Sequence, residues 1–224
     1  MTRPGTLLRY YVCKDKLDRL IKNKDVVLDV GSYDGFILSK LKEKKDFKAI
    51  VLDTDKKALK VAKKRGLKTI LASGTKIPLK KESVDVLLLL DVVEHVKKDN
   101  LLIKEAGRVL KKKGVLILTT PIKNRKLVSF MKMENMRELH KSWGHIRDGY
   151  TYKKLKNLLS NNFVILESST YFNLLSRYAY FFLFYLNFPI SYKLKMFIYN
   201  IIVKTEKIIK LGGIQHLIVC QNSS

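Results

Sequence analysis

The sequence predicts an α/β fold, a doubly wound and mostly parallel seven-stranded sheet with helices on both faces and a helical insertion before the last strand. Short apolar runs alternate along the chain with amphipathic segments, as they do in β-α-β units. The runs lack a regular polar alternation, for example VVLDV and VDVLLLL, which indicates strands that are buried on both faces. With 224 residues, the chain is predicted to form one domain, 1–224.

Residues 1–24 precede the first strand and carry apolar side chains at near-helical spacing, so they are predicted to form a helical cover of one or two helices. The first strand, 26–30, runs into a turn between Gly31 and Gly35, and a helix follows. Glycine lets a backbone approach a ligand closely, and the start of a helix offers free N–H groups. This order therefore indicates a ligand site, although a purely structural turn would have the same residues.

The second predicted strand, 47–52, ends at Asp53. In a doubly wound sheet, an acidic side chain at this place, about 20 residues beyond a glycine-containing turn, accepts hydrogen bonds from ribose hydroxyls. Asp55 is predicted to cap the helix that follows, because Asp is a preferred N-cap residue.

Five further strands are predicted, at 67–71, 84–90, 115–119, 163–166 and 214–219. The third strand runs into Ser73 and Gly74, and the fourth ends at Asp91. Ligands of parallel sheets bind at the carboxyl ends of the strands, so these residues are expected at one ligand site. Between the fourth and fifth strands, residues 111–114 (KKKG) are predicted to be the basic last turn of helix 101–110.

The segment 171–211 is predicted to be an aromatic and basic helical insertion. Its second half, 192–210, has the pattern of a helix with apolar side chains broadly on one side and lysines beside them. One interpretation is a surface that rests on an anionic membrane or covers a lipid-like substrate. Another is an apolar cover over the pocket or a dimer interface. Stacking of RNA bases is a third, but no RNA-binding signature accompanies it.

The formal net charge is +25, from 45 Lys and Arg residues against 20 Asp and Glu residues. This charge favours a polyanionic partner, an anionic membrane surface or nucleic acid, but scattered lysines are equally typical of a lysine-rich proteome. Cys13 and Cys220 have no paired spacing, so a cytoplasmic location is predicted. The longest apolar stretch, 178–190, is too short to cross a bilayer, which leaves peripheral membrane association as an alternative.

Four sequence blocks occur in the order and spacing of a known family: VVLDVGSYDG, AIVLDTDKKAL, ILASGTKIPLKKESVDVLLLLDVVEHV and EAGRVLKKKGVLILTTP. On these blocks, residues 25–163 resemble the class I S-adenosylmethionine-dependent methyltransferases, in particular the small-molecule type related to ubiquinone-biosynthesis methyltransferases. The resemblance implies a Rossmann-like fold, S-adenosyl-L-methionine as cofactor, and a methyltransferase activity.

The resemblance also implies the cofactor site. The methionine portion would lie against Asp29, Gly31, Ser32, Tyr33 and Gly35, the ribose against Asp53 and Thr54, the adenine against Ser73 and Gly74, and the methyl group near Asp91. Two residues depart from the family pattern. Glycine is usual where Tyr33 stands, and an acidic residue is usual where Ser73 stands.

The residues themselves argue against a nicotinamide cofactor. The G-x-G-x-x-G fingerprint is absent, and Asp29 would place negative charge where a pyrophosphate should lie. For a phosphate-free cofactor with a cationic amino-acid and sulfonium end, this carboxylate is favourable. Asp29 therefore favours S-adenosylmethionine.

Two histidines are candidate catalytic bases. His95 follows the fourth strand, and His145 lies in a stretch that resembles the acceptor side of family pockets; a packing role for His95 stays open. No metal site is predicted, because His140 and His145 have no clear carboxylate partner in sequence.

The predicted function is methyl transfer, by direct displacement and onto oxygen, to a small-molecule or lipid- or glycan-linked acceptor. The alternatives are an RNA methyltransferase and a non-catalytic module with a decayed pocket that binds a membrane or a partner. The sequence leaves the oligomeric state open.

Overall fold

The computed structural model describes residues 3–208 and 211–223. The helices are α1 Pro4–Leu20, α2 Phe36–Lys42, α3 Lys56–Lys64, α4 Asp99–Val109, α5 Met133–Ser142, α6 Tyr152–Leu159, α7 Leu174–Tyr180 and α8 Tyr192–Val203. The strands are β1 Val26–Val30, β2 Lys48–Asp53, β3 Lys68–Leu71, β4 Val84–Leu90, β5 Leu110–Pro121, β6 Phe163–Tyr171 and β7 Gln215–Asn222. Short 3-10 turns lie at Val93–His95 and Lys204–Lys207, and a π-helical turn at Phe181–Tyr185.

The seven strands form one open sheet in the order β3-β2-β1-β4-β5-β7-β6. The strands β1 to β5 pair in parallel, and β7 runs antiparallel to both β5 and β6. The predicted fold class is confirmed. The strands β1 and β4 are neighbours at the centre of the sheet. The strand after β1 lies on one side of this pair, and the strand after β4 lies on the other side. The cleft at the carboxyl ends of β1 and β4 is therefore the expected ligand position.

Helices cover both faces of the sheet. One buried cluster contains side chains of α1, α2, α3 and α8, for example Leu17, Leu38 and Tyr199. The other contains side chains of α4 and α6, for example Leu102 and Leu155. α1 is a single helix of 17 residues within the predicted N-terminal cover, and it packs against α8.

The prediction for residues 111–114 is wrong. The helix α4 ends at Val109, and these residues belong to β5, which begins at Leu110. Leu110 is fully buried and pairs with Val84 across a register shift. Burial of this leucine and the pairing to β4 therefore outweigh the helical C-terminal pattern of KKKG.

Within 171–211, Tyr171 is the last residue of β6, and the described residues after it include α7, the π-helical turn, α8 and the 3-10 turn, so the predicted insertion contains helices. The predicted helix 192–210 ends earlier, at Val203, and its predicted residues Ile209 and Lys210 lie outside the described residues. The structure also contains α5, which the sequence pattern did not predict. In the described part of the chain, no helix combines the length and the apolarity that a membrane span requires.

Candidate functional site

A cavity of about 1110 Å³ opens at the carboxyl ends of β1, β2 and β4. It is bounded by the first turns of α1, by the loops after these strands, and by the segment before α6 and the helices of the insertion. Of the predicted site residues, the cavity lining includes Asp29, Gly31, Ser32, Tyr33, Asp53, Thr54, Ser73, Gly74, Asp91, His95 and His145. The strand-end location predicted from the sequence thus coincides with the cavity.

Gly35 is the one predicted site residue that is not in this lining. Its φ is +67°, and a Cβ there would lie 2.4 Å from Leu67 Cδ1. Gly35 therefore lets α2 start close to the core. Gly31 does face the cavity, with a φ of +71°, and a Cβ there would lie 2.7 Å from Val92 Cγ2. Both positions favour glycine, but only Gly31 shapes the cavity wall.

Tyr33 keeps the loop conformation despite its side chain. Its φ is +56°, a left-handed conformation that costs about 1–2 kcal/mol in a residue other than glycine. Its N–H donates to Asp53 Oδ2 at 2.8 Å, and the guanidinium of Arg3 lies 3.9 Å from its ring centroid. This stacking compensates part of the strain. The departure from the family glycine therefore leaves the loop intact and links it to α1.

Asp53 is held rigidly at the end of β2. Its Oδ2 accepts from the N–H of Tyr33, and its Oδ1 accepts from the N–H of Asp55 at 2.9 Å. Asp55 caps α3 as predicted, by accepting hydrogen bonds from the N–H groups of Lys57 and Ala58. The carboxylate of Asp53 still has lone pairs for ligand hydroxyls.

Asp29 is almost fully buried at the end of β1. Burial raises the pKa of its carboxyl to about 7, because the charged form loses its hydration, while a hydrogen bond from Ser32 and the charge of Arg9 act in the opposite direction. A cation placed beside Asp29 would favour its ionised form.

Arg9 of α1 reaches the cavity and pairs with Asp91, with 2.5 Å between Nη1 and Oδ2. Burial opposes the charge of Arg9, but the neighbouring carboxylate outweighs this effect and raises the pKa of Arg9. Asp91 also accepts a hydrogen bond from the Thr119 hydroxyl at 2.6 Å. Sequence reasoning missed Arg9, because its partner lies 82 positions away. The available signal was an arginine on the predicted cover of a chain whose cations are mostly lysines.

A cluster of histidines lies beside these groups. The ring centroids of His95 and His145 are 4.6 Å apart, and those of His140 and His145 are 4.8 Å apart. Burial, and then the charges of His140 and His95, lower the pKa of His145 to about 3, so its imidazole is neutral at physiological pH. Its Nδ1 is buried without a hydrogen-bond partner. His145 is therefore able to accept a hydrogen bond, while the same burial makes its imidazole a weaker base.

The side chain of Glu94 lies on the buried side of this cluster. It is fully buried, its Oε2 accepts from the Thr120 hydroxyl at 3.1 Å, and its Oε1 has no partner. Burial raises the pKa of Glu94 well above its usual value. Among the described residues, ligand atoms of Glu94, His95 and His145 lie within 4.8 Å of one another, a donor set that suits a divalent cation. Sequence reasoning paired His140 with His145 and missed the carboxylate.

Part of the cavity wall is aromatic. Its lining includes Trp143, Phe172, Tyr180 and Tyr199. The hydroxyl of Tyr199 and the Oε1 of Gln215 are buried there without hydrogen-bond partners among the described residues. An apolar ligand with a small number of polar groups would match this wall, since buried polar atoms gain most from a partner that reaches them.

The open sheet and its strand-end cavity define a doubly wound, ligand-binding α/β domain. Residues 28–118 match a family model described as a methyltransferase domain. The chain is 33% identical over 118 residues to the ubiquinone biosynthesis O-methyltransferase of Pelagibacter ubique, a match that covers 50% of this chain and 48% of that protein. The chain spans about half, or less, of the length of the curated relatives it matches.

Solved structures share the fold. The MccD protein superposes with a TM-score of 0.67 at 16% identity, covering 99% of both chains. A Galdieria sulphuraria protein described as a putative sarcosine dimethylglycine methyltransferase superposes with a TM-score of 0.66 at 15% identity, covering 97% of this chain and 85% of that one. The match to the methyltransferase domain covers residues 28–118, and the chain as a whole has the fold of these solved structures. S-adenosylmethionine is the expected cofactor.

The residues of the cavity fit this cofactor. Asp29 and Asp91 offer negative charge to an ammonium and a sulfonium, and Arg9 offers positive charge to a carboxylate. A dinucleotide pyrophosphate would instead meet the buried carboxyl of Asp29 at the loop after β1. The charge pattern therefore suits a zwitterionic ligand without phosphate.

Proposed function

We propose that the protein transfers a methyl group from S-adenosylmethionine to an oxygen of a small-molecule or lipid- or glycan-linked acceptor. The observation that carries this proposal is the arrangement of Asp29, Arg9 and Asp91 in a strand-end cavity whose lining also includes several aromatic side chains. The charged residues would hold the amino-acid end of the cofactor, and the aromatic residues would provide an apolar surface for an acceptor.

The cofactor, when bound, supplies a methyl group on a sulfonium. The chain's own residues would hold it: Asp29 and Asp91 beside its cationic groups, Arg9 at its carboxylate, Asp53 with Thr54 at its ribose, and Ser73 with Gly74 at its adenine. Orientation of two reactants contributes much of the barrier reduction in such a transfer. The Ser73 hydroxyl bonds to the Thr75 hydroxyl at 2.8 Å, so the adenine amino group would have a hydroxyl pair rather than a carboxylate as its neighbour.

An acceptor hydroxyl must lose a proton during the transfer. His145 lines the cavity and has a ring nitrogen without a partner among the described residues, so by its position it is the first candidate for the general base. The Nδ1–H of His95 donates a hydrogen bond to the Gly144 carbonyl at 2.9 Å, which positions its ring against His145. The name of the Pelagibacter relative, an O-methyltransferase, supports oxygen as the attacked atom.

A second candidate for activation of the acceptor is a divalent cation held by Glu94, His95 and His145. The orphaned Oε1 of Glu94 and Nδ1 of His145 favour it, because a cation would satisfy both. Such a cation would supply positive charge that promotes loss of the acceptor proton. Elemental analysis of the purified protein, with activity measured before and after chelation, distinguishes the two candidates.

The test is methyl transfer from radiolabelled S-adenosylmethionine to three separate substrate pools: lipid extracts, water-soluble metabolites and RNA. We expect label in the lipid or metabolite pool and none with Asp91→Asn. The exposed Asp46→Asn is the matched control and should retain activity. Label in RNA alone would establish the RNA methyltransferase alternative. Absence of transfer to every pool, together with absence of cofactor binding, would leave a non-catalytic module.

A further inference from the structure

The helix α8 is apolar on two sides. Towards the protein, Tyr199 and Val203 are fully buried. Away from it, Leu194, Phe197 and Ile201 are exposed by 46%, 62% and 52%. These three residues follow the i, i+3, i+7 spacing of a single helix face. A surface helix in a soluble domain normally presents polar residues to the solvent. The apolar outward face of α8 therefore indicates a surface that binds a partner.

The outward face continues into an apolar groove. Phe197 and Met196 of α8, together with Tyr10 and Tyr11 of α1 and Phe36 of α2, line a groove of about 570 Å³. The groove therefore extends beyond α8, because side chains of three helices line it. We call the outward face and this groove together the α8 surface.

Lysines surround the α8 surface. Lys193 and Lys40 line the groove, and Lys204 Nζ lies 5.9 Å from the ring centroid of Tyr11. Lys40 is paired with Glu43, so Lys193 and Lys204 supply most of the positive charge. Residues 171–205 contain neither Asp nor Glu, and the next acid, Glu206, is buried and bonded to the backbone N–H groups of Phe172 and Asn173.

We propose that the α8 surface docks onto an anionic phospholipid bilayer, with its aromatic and aliphatic side chains at the acyl boundary and its lysines at the head groups. Exposed Phe, Leu and Ile on one helix face with flanking Lys are the pattern of an interfacial helix that lies on a membrane. The net charge of +25 adds long-range attraction to an anionic surface.

A second copy of the chain is a poorer occupant. A twofold contact through α8 would bring Lys193 and Lys204 close to their own copies, with no acidic residue of the segment exposed to pair with them. Self-association is therefore opposed by charge, whereas a lipid surface neutralises the same lysines.

Docking would also place the membrane beside the cavity. Tyr199 lines the cavity from the inner side of the helix whose outer side carries Phe197 and Ile201. A lipid-linked acceptor would then enter from the bilayer, a consequence that rests on the proposed function. The docking itself does not depend on activity and is measured without cofactor.

The experiment is flotation of the full chain with two sets of vesicles, phosphatidylcholine alone and phosphatidylcholine mixed with an equal part of phosphatidylglycerol. We expect binding to the mixed vesicles only, weakened by added salt. The variant Phe197→Ser/Ile201→Ser should lower the partition coefficient by at least about tenfold, because two large apolar side chains no longer enter the interface. The variant Lys193→Ser/Lys204→Ser should lower it about tenfold and reduce the salt dependence.

Matched controls lie elsewhere on the surface. Val61→Ser/Leu71→Ser removes two side chains that are exposed by 42% and 57%, and Lys64→Ser/Lys68→Ser removes two exposed lysines near them. Both controls should bind vesicles as the original chain does, and circular dichroism checks that every variant is folded.

Four outcomes would overturn the proposal. The first two are no binding to anionic vesicles and equal loss of binding in the controls. The other two are, with vesicle binding absent, a dimer in sedimentation velocity that Phe197→Ser/Ile201→Ser dissociates, or binding of RNA through the same lysines. A loss confined to the α8 surface variants, with cofactor titration unchanged, would support docking even if the proposed transfer reaction were wrong.

Discussion

The two walls of the cavity differ in chemistry and in origin. The charged wall carries Asp29, Asp53 and Asp91. These residues lie at the ends of the adjacent strands β1, β2 and β4, where the pairing of the sheet holds the backbone in place. The aromatic wall carries Trp143, Tyr180 and Tyr199, which come from a loop and from the helical insertion. Rigid strand ends suit a cofactor of fixed shape, and the proposed acceptor would lie against the insertion. Changes in the two walls should therefore have separable effects.

The largest effect is expected for Asp91→Asn. This change leaves the guanidinium of Arg9 partly buried without its counter-charge, and it removes a carboxylate from the charged wall. We expect a loss of about 2–3 kcal/mol in the free energy of unfolding and at least about 100-fold weaker cofactor binding. Urea denaturation and calorimetric titration measure the two quantities. Arg9→Gln/Asp91→Asn should recover part of the stability but not the binding; if binding recovered as well, the charges would not be cofactor contacts.

Replacement of His145 tests the acceptor side. His145→Ala should lower kcat by about 100- to 1000-fold, the usual contribution of a general base, and leave the dissociation constant of the cofactor within about twofold. Single-turnover kinetics and cofactor titration on the same preparation give both numbers. A parallel loss of cofactor affinity would show that the two walls are not separable.

The dependence of cofactor binding on pH follows from Asp29. Its pKa is raised to about 7, so below pH 7 its carboxyl is protonated in the free protein and must lose the proton when a cationic ligand binds. Cofactor affinity should therefore rise with pH through this range, by up to about tenfold per pH unit below pH 7, and level off above it. Titrations in two buffers of different ionisation enthalpy measure the released proton. In Asp29→Asn the slope should vanish, while Asp46→Asn should keep it.

The Tyr199→Phe change affects the aromatic wall alone. It removes a buried hydroxyl that has no partner, so the free protein should gain about 1 kcal/mol in stability. If this hydroxyl binds the acceptor, the KM for the acceptor rises about tenfold at unchanged cofactor affinity. Thermal unfolding and steady-state kinetics check the pair of results. A stabilised variant with unchanged KM would remove the hydroxyl from the acceptor site.

The smallest effect is expected for Tyr33→Gly. Glycine relieves the left-handed backbone but loses the contact of the ring with Arg3. The free energy gained by relief of the backbone strain and the free energy lost with the ring contact are similar in size. The free energy of unfolding should therefore change by less than about 1 kcal/mol, and cofactor affinity by less than about threefold. An affinity that appears only in this variant would show that the natural loop is unable to hold the cofactor.

The charged wall was predictable because its signals are local. A strand, its terminal carboxylate and the following small residues lie within one short stretch, so Asp29, Asp53 and Asp91 were placed by pattern. Arg9 was not, because the position of α1 depends on how its apolar side packs against the sheet and α8. The pairing of Glu94 with His145 was missed for the same reason, since the two residues meet only in the folded chain.

The insertion shows another limit of pattern. Periodicity grouped Leu194, Phe197 and Ile201 on one side of a helix, but it did not reveal that this side faces outwards. The inward side is also apolar and includes Tyr199 and Val203, so the hydrophobic pattern alone does not choose between the two. Sequence likewise misplaced residues 111–114, because the sheet pairing of Leu110 outweighs a local helix-end signal.

The central claim is that the charged wall selects a phosphate-free, cationic cofactor. Calorimetric titration of the full chain at pH 8 with S-adenosylmethionine and, separately, with a nicotinamide dinucleotide tests it most directly. We expect saturable one-to-one binding of S-adenosylmethionine, loss of that binding in Asp91→Asn, and no heat from the dinucleotide. Binding of the dinucleotide, or no binding of S-adenosylmethionine to the folded protein, would contradict the account.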